Sequence, residues 1–372
     1  MSNTVVSGSG VFTPLDSIPN DELAASFNRY VAEYNRKHAN TIASGETEQL
    51  EESDAEFITK VAGIKNRHVI DKSGILDSAI MFPRIQEYSA DGRSVQSRMG
   101  EAAARAALEQ ASKDPAQVDI VIVCCTAVQR PYPSVAIEIQ QALGTRGFAY
   151  DLQAACSSMS FAIQSATDAI INNSADTVLL ISPEICSARV DYRDRETHFL
   201  FGDAASALVI ERKDECRSPY AFQILDTKMH TRFSESVRND FGFLNQANPE
   251  ETTSARLFSQ QGKKLFRDIV PLVSEFIRDH LSGTGIEISE LKRLWLHQAN
   301  IHINKTISKR VFGREASEKE APVILDEYAN TSSAGSAIAF HKHSADLSSG
   351  DIGVLCAFGA GYSIGSVVLK KA

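Results

Sequence analysis

Cys156 stands where the apolar run FAYDLQ gives way to a helix-like stretch of small residues, SSMSFAIQSATDAIINN. A thiol at a helix N-terminus feels the positive end of the macrodipole, which favours the thiolate, its nucleophilic form. Ala154, Ala155, Ser157 and Ser158 permit a tight turn there and leave room for a substrate. A lone cysteine at such a junction also suits plain packing, because cysteine is among the most buried residue types.

Two further residues gain meaning from an internal repeat. YDLQAACSSMSFAI, from Tyr150, overlays LDEYANTSSAGSAI, from Leu325, with a shift of 175. DTVLLIS then resembles DIGVLCA, ALVIER resembles GSVVLKK, and the strand DIVIVCC resembles RLWLHQA, in the same order. Two similar α/β halves follow, dividing near residues 215–225 into segments 1–220 and 221–372. Under a pseudo-twofold axis equivalent strand ends face one another, so His297, after RLWL, turns towards Cys156. Asn330 lies one residue before the position equivalent to Cys156, and its amide would enter the same cleft. A thiol, an imidazole and an amide together suit thioester chemistry, as a nucleophile plus two donors to an enolate or oxyanion. Either polar residue alone would read as a satisfied core group. The run FGAG, Phe358 to Gly361, follows the strand GVLCA and offers backbone N–H groups at close approach, or simply a glycine-rich turn.

The elements that must position these residues alternate. DIVIVCC from Asp119 reads as a buried strand, and Ser134 to Leu143 reads as a helix capped by Ser134 and stopped by Gly144. Such alternation predicts a largely parallel sheet covered on both faces. Residues 22–60 have no counterpart in the other half; they are charged and helix-forming, with apolar positions at Phe27, Tyr30, Val31 and Tyr34, and read as a surface insertion or cap.

Composition narrows the function. Lys+Arg 38 against Asp+Glu 47 gives a formal charge of −9, which argues against a nucleic-acid partner. The six cysteines form no Cys-x-x-Cys pair, and no metal-ligand set is visible, so no metal is expected. The start, MSNTVVSGSGVFTP, lacks the features of a secretory signal, and no run of about eighteen apolar residues occurs, so a cytoplasmic protein without a membrane partner is expected.

AACSSMSFA, LHQAN, ANTSSA and FGAG together resemble the β-ketoacyl-acyl-carrier-protein synthase III family of thiolase-fold condensing enzymes. GIKNRHV from Gly63, Tyr-Pro-Ser at 132–134 and DRETHFLFGDAASA from Asp194 match family segments in the family's order. The resemblance implies a thiolase-like α/β fold in αβαβα layers, a homodimer, and no cofactor beyond the coenzyme A thioester used as substrate. It implies decarboxylative Claisen condensation of an acyl-coenzyme A primer with malonyl-acyl-carrier protein. Cys156 would carry the acyl group, His297 and Asn330 would donate to the malonyl thioester carbonyl, and the N–H groups of Cys156 and Ala360 would form an oxyanion hole. Phe57, Arg195 and Asn300 match coenzyme A positions, and Tyr132, Phe201 and Phe358 match acyl-pocket positions, Tyr132 reaching the partner subunit's tunnel. Arg267, Lys309 and Arg310 match basic carrier-protein docking positions, or are ordinary surface charges.

Departures from the pattern bear on substrate. Phe57 stands where the best-known members have a tryptophan, and Val61 and His302 replace arginines. The 22–60 insertion and SGILDSAIMFP are similar to a subgroup of longer synthases that take medium-chain primers such as octanoyl-coenzyme A. A degradative thiolase is rejected: its second cysteine would fall at Ala357, while Cys356, one residue earlier, points to the opposite strand face. An acyltransferase or secondary-metabolite condensing enzyme on the same fold is the alternative reading. A catalytically silent partner subunit or carrier-protein-binding module is another.

Overall fold

The computed structural model describes residues 3–240 and 253–372. The first half supplies β1 (Thr4–Phe12), β2 (Asp16–Pro19), β3 (Asn66–Val69), β4 (Ile120–Cys124), β5 (Phe148–Leu152), β6 (Thr177–Ile185) and β7 (Asp203–Arg212). The second supplies β8 (Phe222–Ser234), β9 (Val237–Arg238), β10 (Ser259–Gln260), β11 (Leu291–Leu296), β12 (Ile352–Gly359) and β13 (Gly361–Lys371). Helices α1 (Asn20–Lys37), α2 (Ala39–Ala43), α3 (Ala55–Ala62), α4 (Val95–Ala111), α5 (Val135–Leu143) and α6 (Ser158–Ile171) belong to the first half. Helices α7 (Gly262–Thr284), α8 (Ile301–Phe312), α9 (Leu325–Tyr328) and α10 (Ala334–Lys342) belong to the second.

Nine strands form one mixed sheet in the order β11-β12-β13-β8-β1-β7-β6-β4-β5. The β11-β12, β4-β5 and β4-β6 pairings are parallel and the other five antiparallel. This is a correction to the largely parallel sheet expected, because each half ends in strands joined without a crossover helix. The order β4-β6-β7-β1 mirrors β11-β12-β13-β8, so the repeat read in the sequence is a repeat of topology. It breaks at one place. Phe148–Leu152 is an edge strand, whereas Leu325–Tyr328 is a single helical turn. Leu325 there is buried in the core that packs under the cap.

Strand alternation sorts side chains into layers. Ile122 and Cys124 turn towards α6 and α10, while Val121 and Val123 turn towards α4 and α5. The two small-residue helices share one core with strands of both halves, including Leu180, Trp295 and Leu355. On the far side, α7 and α8 cover Leu294, Leu296 and Val354. The result is a five-layer αβαβα sandwich. Helix α5 has the ends expected of it: Ser134 accepts from the Ile137 N–H, and Gly144 closes it at φ +74°.

The insertion folds as a cap. Phe27 and Val31 of α1 are buried, and Phe27 stacks on His198 at 4.5 Å; burying such a ring contributes about 1.5–3 kcal/mol. Tyr30 and Tyr34 stay on its half-exposed flank. The segment before α3 is sewn down by amides, since Asn28 exchanges two hydrogen bonds with the Ser53 backbone and Asn35 two with Leu50. Helix α3 is then fastened to α8. The Asn300 amide donates to the Val61 carbonyl at 2.8 Å, and His302 Nε2 bonds the Lys60 carbonyl at 2.7 Å. Gly63 makes this approach possible, because a β-carbon there would sit 2.5 Å from that of Ile301.

Candidate active site

The chain turns sharply between β5 and α6, and Ala155 takes up φ +49° just before Cys156. That left-handed conformation is uncommon for a residue with a β-carbon. Hydrogen bonds over-determine the turn: the Ser157 and Ser158 N–H groups donate to the Ala154 and Ala155 carbonyls, and the Ser157 hydroxyl donates to Ala154 at 2.7 Å. Gly359 lies against this elbow so closely that a β-carbon on it would stand 2.8 Å from that of Cys156 and 2.9 Å from its nitrogen. FGAG is therefore the close approach that its glycines suggest.

Burial pushes the Cys156 thiol up to about 11, with the Glu184 charge adding to the rise and the Ser332 hydroxyl, which donates to Sγ at 3.2 Å, opposing it. The helix end favours the thiolate, and burial acts in the opposite sense.

His297 follows β11, its backbone N–H held by the Cys356 carbonyl at 2.8 Å and its ring edge-on to Phe358. Burial lowers its pKa to about 4, so the imidazole is neutral near pH 7. Its Nδ1 has no hydrogen-bond partner. Asn330 Oδ1 accepts from the Ser332 N–H at 2.8 Å, which orients the carboxamide and leaves its NH2 for the cavity. Backbone bonds to Leu200 and Gly202 fix the residue from both sides.

Cys156, His297 and Asn330 line one cavity of about 290 Å³. Its walls are mainly apolar. Phe201, Phe358 and Ala360 also line it, as does Asn300, which donates one amide hydrogen to the Val61 carbonyl and accepts from the His302 N–H. Phe57 and Arg195 stack on each other and are not among the residues that line the cavity. Tyr132 is 82% exposed and lies outside the cavity lining of its own chain, as a residue expected to reach the partner subunit's tunnel would. Arg267, Lys309 and Arg310 are all exposed, Arg267 beside Asp268 and Lys309 paired with Glu315. Cys356 is buried in the core under α7 and is not among the lining residues.

Sequence reasoning missed one wall. Phe258, Leu265, Phe266 and Ile269 close the cavity. Leu265 and Ile269 lie four apart on α7, a spacing that marks a buried helix face without saying what it faces. It also missed Ser332.

A five-layer sandwich of two repeated halves, with a thiol from one half and an imidazole and amide from the other on a shared cavity, defines a thiolase-fold condensing enzyme. The models of 3-oxoacyl-[acyl-carrier-protein] synthase III and of its C-terminal region match residues 150–232 and 281–371. The chain is 51% identical to the β-ketodecanoyl-[acyl-carrier-protein] synthase of Pseudomonas aeruginosa over 93% of its own length and 99% of that protein's. It is 30% identical to the β-ketoacyl-[acyl-carrier-protein] synthase III of Methylococcus capsulatus, over 98% of each chain. The crystal structure of the 3-oxoacyl-[acyl-carrier-protein] synthase III of Aquifex aeolicus superposes with a TM-score of 0.76 over 99% of each chain, at 26% identity. The chain belongs to the β-ketoacyl-acyl-carrier-protein synthase III family, condensing enzymes of the acyltransferase type. Among the described residues, no helix is long and apolar enough to cross a membrane.

Proposed function

We propose that this protein condenses a medium-chain acyl-coenzyme A, octanoyl favoured over acetyl, with malonyl-acyl-carrier protein through an acyl-Cys156 intermediate. The observation that carries the reading is the convergence of Cys156, His297 and Asn330 on one apolar cavity. The ten-carbon product in the name of the Pseudomonas relative fits an eight-carbon primer, since condensation adds two carbons.

In the first half-reaction the Cys156 thiolate attacks the primer thioester, and the oxyanion is held by the N–H groups of Cys156 and Ala360. Coenzyme A departs as a thiolate and takes a proton from solvent. In the second, malonyl-carrier protein loses carbon dioxide and the charge collects on the thioester oxygen. Neutral His297 and the Asn330 NH2 stabilise it where it develops, and the nascent carbanion displaces Cys156 from the acyl group. A neutral imidazole suits this step because it donates without first needing a proton.

Phe57, Arg195 and Asn300 take the coenzyme A end, and Phe201 and Phe358 flank the acyl path. Arg267, Lys309 and Arg310 dock the acidic carrier protein. The dimer forms through β5, an edge strand on which exposed Phe148 and Tyr150 stack, and it carries Tyr132 to the partner's tunnel. Intact-protein mass after incubation with acyl-coenzyme A tests the reading: wild type gains the acyl mass, and Cys156→Ala does not. Acylation of that variant, or a clear kinetic preference for acetyl- over octanoyl-coenzyme A, overturns the corresponding part.

A further inference from the structure

Glu184, at the end of β6, is 2% exposed and lies beneath the site. Its Oε1 accepts from the Thr126 N–H at 2.8 Å and the Thr126 hydroxyl at 3.1 Å in the first half, and from the Ser333 N–H at 3.3 Å and the Ser333 hydroxyl in the second. The Thr126 hydroxyl is also hydrogen-bonded to the Ser332 hydroxyl, which reaches Cys156 Sγ at 3.2 Å. One unbroken path thus joins the sulfur to a buried carboxylate.

We propose that Glu184 takes the Cys156 proton through the hydroxyls of Ser332 and Thr126. The proposal rests on Cys156 being the nucleophile and says where its proton goes. Ser332 touches the reacting sulfur and is a catalytic residue; Thr126 and Glu184 are the relay behind it.

Counting protons supports the path. Sulfur, Ser332, Thr126 and Glu184 make three contacts in series, and the two hydroxyls supply two hydrogens. The third sits at one end or the other. With it on sulfur, S–H donates to Ser332, Ser332 to Thr126, and Thr126 to the carboxylate. With it on Glu184, every bond reverses and the sulfur is a thiolate receiving the Ser332 hydrogen. A thiolate beside an ionised Glu184 would leave the two hydroxyl oxygens facing each other with no hydrogen between them. The chain therefore couples loss of the thiol proton to its gain by the carboxylate.

Burial acts on both ends of the path. It raises Glu184 above the ordinary carboxylate range, which makes it a better proton acceptor although its four donors work the other way. It also holds the proton on the sulfur, so the relay supplies a local acceptor for a thiol that solvent deprotonates poorly. The titratable groups around it are Cys124, Cys125, Cys156 and Cys186, with Asp203 and Arg189 acting on Cys186 from further out. Neutral His297 shares the cavity with the sulfur and brings no charge. Through the catalytic cycle the proton waits on Glu184 while Cys156 is acylated. It returns when the carbanion displaces the sulfur, so the relay consumes none.

The test uses the intact enzyme. The rate of Cys156 alkylation by iodoacetamide is measured at about pH 7 and about pH 9 and read by peptide mass, beside the rate of acylation by octanoyl-coenzyme A. Thr126→Val keeps the shape and the backbone bond to Glu184 but breaks the path. It should slow alkylation about tenfold or more and acylation roughly a hundredfold, the low end of what proton transfer contributes. Thr126→Ser should stay near wild type, and Glu184→Gln should slow acylation as Thr126→Val does, although loss of its charge eases thiolate formation. An unchanged alkylation rate in Thr126→Val sinks the relay, and so does an equal loss in Thr126→Ser, which would indicate packing. If Glu184→Gln fails to fold, the Thr126 pair decides. Wild type that gains no acyl mass at Cys156 would instead remove the nucleophile assignment itself.

Discussion

The guanidinium carbon of Arg195 lies 4.1 Å from the centre of the Phe57 ring, and its Nε donates to the Glu52 carbonyl at 2.7 Å. The two residues, both proposed to take the coenzyme A end, therefore stack on each other, and the cap segment holds one of them in place. A planar base between them needs about 7 Å, two contacts of roughly 3.5 Å each. Binding the nucleotide must separate the pair.

The nucleotide end should accordingly contribute little affinity. Phe57→Ala is expected to raise KM for octanoyl-coenzyme A only about 2- to 5-fold, the scale of one exposed cation-π contact. KM for octanoyl-pantetheine should not change. Steady-state kinetics with the two donors checks this, and an equal rise for both would place Phe57 outside the nucleotide subsite.

Gly359→Ala puts a methyl group into the Cys156 elbow. The backbone must shift, because the new carbon would lie 2.9 Å from the Cys156 nitrogen. We expect a stability loss of about 1–3 kcal/mol from overpacking. Acylation should slow by roughly a hundredfold, since displacement of a reacting group by about 1 Å has that cost. Thermal melting and acyl-enzyme mass give the two readings.

His297→Ala should separate the half-reactions. Its donor role belongs to decarboxylation, so the variant is expected to gain the acyl mass at near wild-type rate while carbon dioxide release from malonyl-carrier protein falls at least about 100-fold. Loss of acylation as well would assign His297 to the first step.

The same residue makes folding acid-sensitive. Its folded pKa, about 4, lies below the ordinary 6.5, so the unfolded chain binds more protons between those values and stability falls as pH drops through that window. His198, lowered to about 4 by burial, acts in the same sense; Asp203, raised to about 6, acts against both below pH 6. Replacing His297 with Gln should remove on the order of 2 to 3 kcal/mol of the loss between pH 6.5 and 4. Urea midpoints at the two ends of the window measure it.

Tyr132 is exposed in the single chain, so a stability loss in Tyr132→Ala above about 0.5 kcal/mol would mark it as buried in the dimer. If its ring enters the partner's tunnel, the variant should accept longer primers than wild type. An acyl-coenzyme A panel read by intact mass tests this, and an unchanged chain-length profile would detach Tyr132 from the tunnel.

Local patterns carried much of the architecture in the sequence alone. The β4 run DIVIVCC, the Ser134 and Gly144 helix signals and the 175-residue repeat each depend on neighbours a few positions apart or on self-similarity, and all lead to the layered α/β fold. Cys156, His297 and Asn330 were legible because the repeat places equivalent strand ends opposite one another. Three things were decided only in three dimensions. The 22–60 insertion became the roof because Gly63 lets α3 meet α8, and α7 supplied an apolar wall through Leu265 and Ile269. The Thr126 and Ser332 hydroxyls meet across 206 positions of chain, a contact with no periodicity to announce it. The state of the thiol divides the two kinds of information most clearly. A helix end is a local feature that sequence displays, but desolvation is the sum of every segment packed around the sulfur, and at Cys156 it is what raises the thiol.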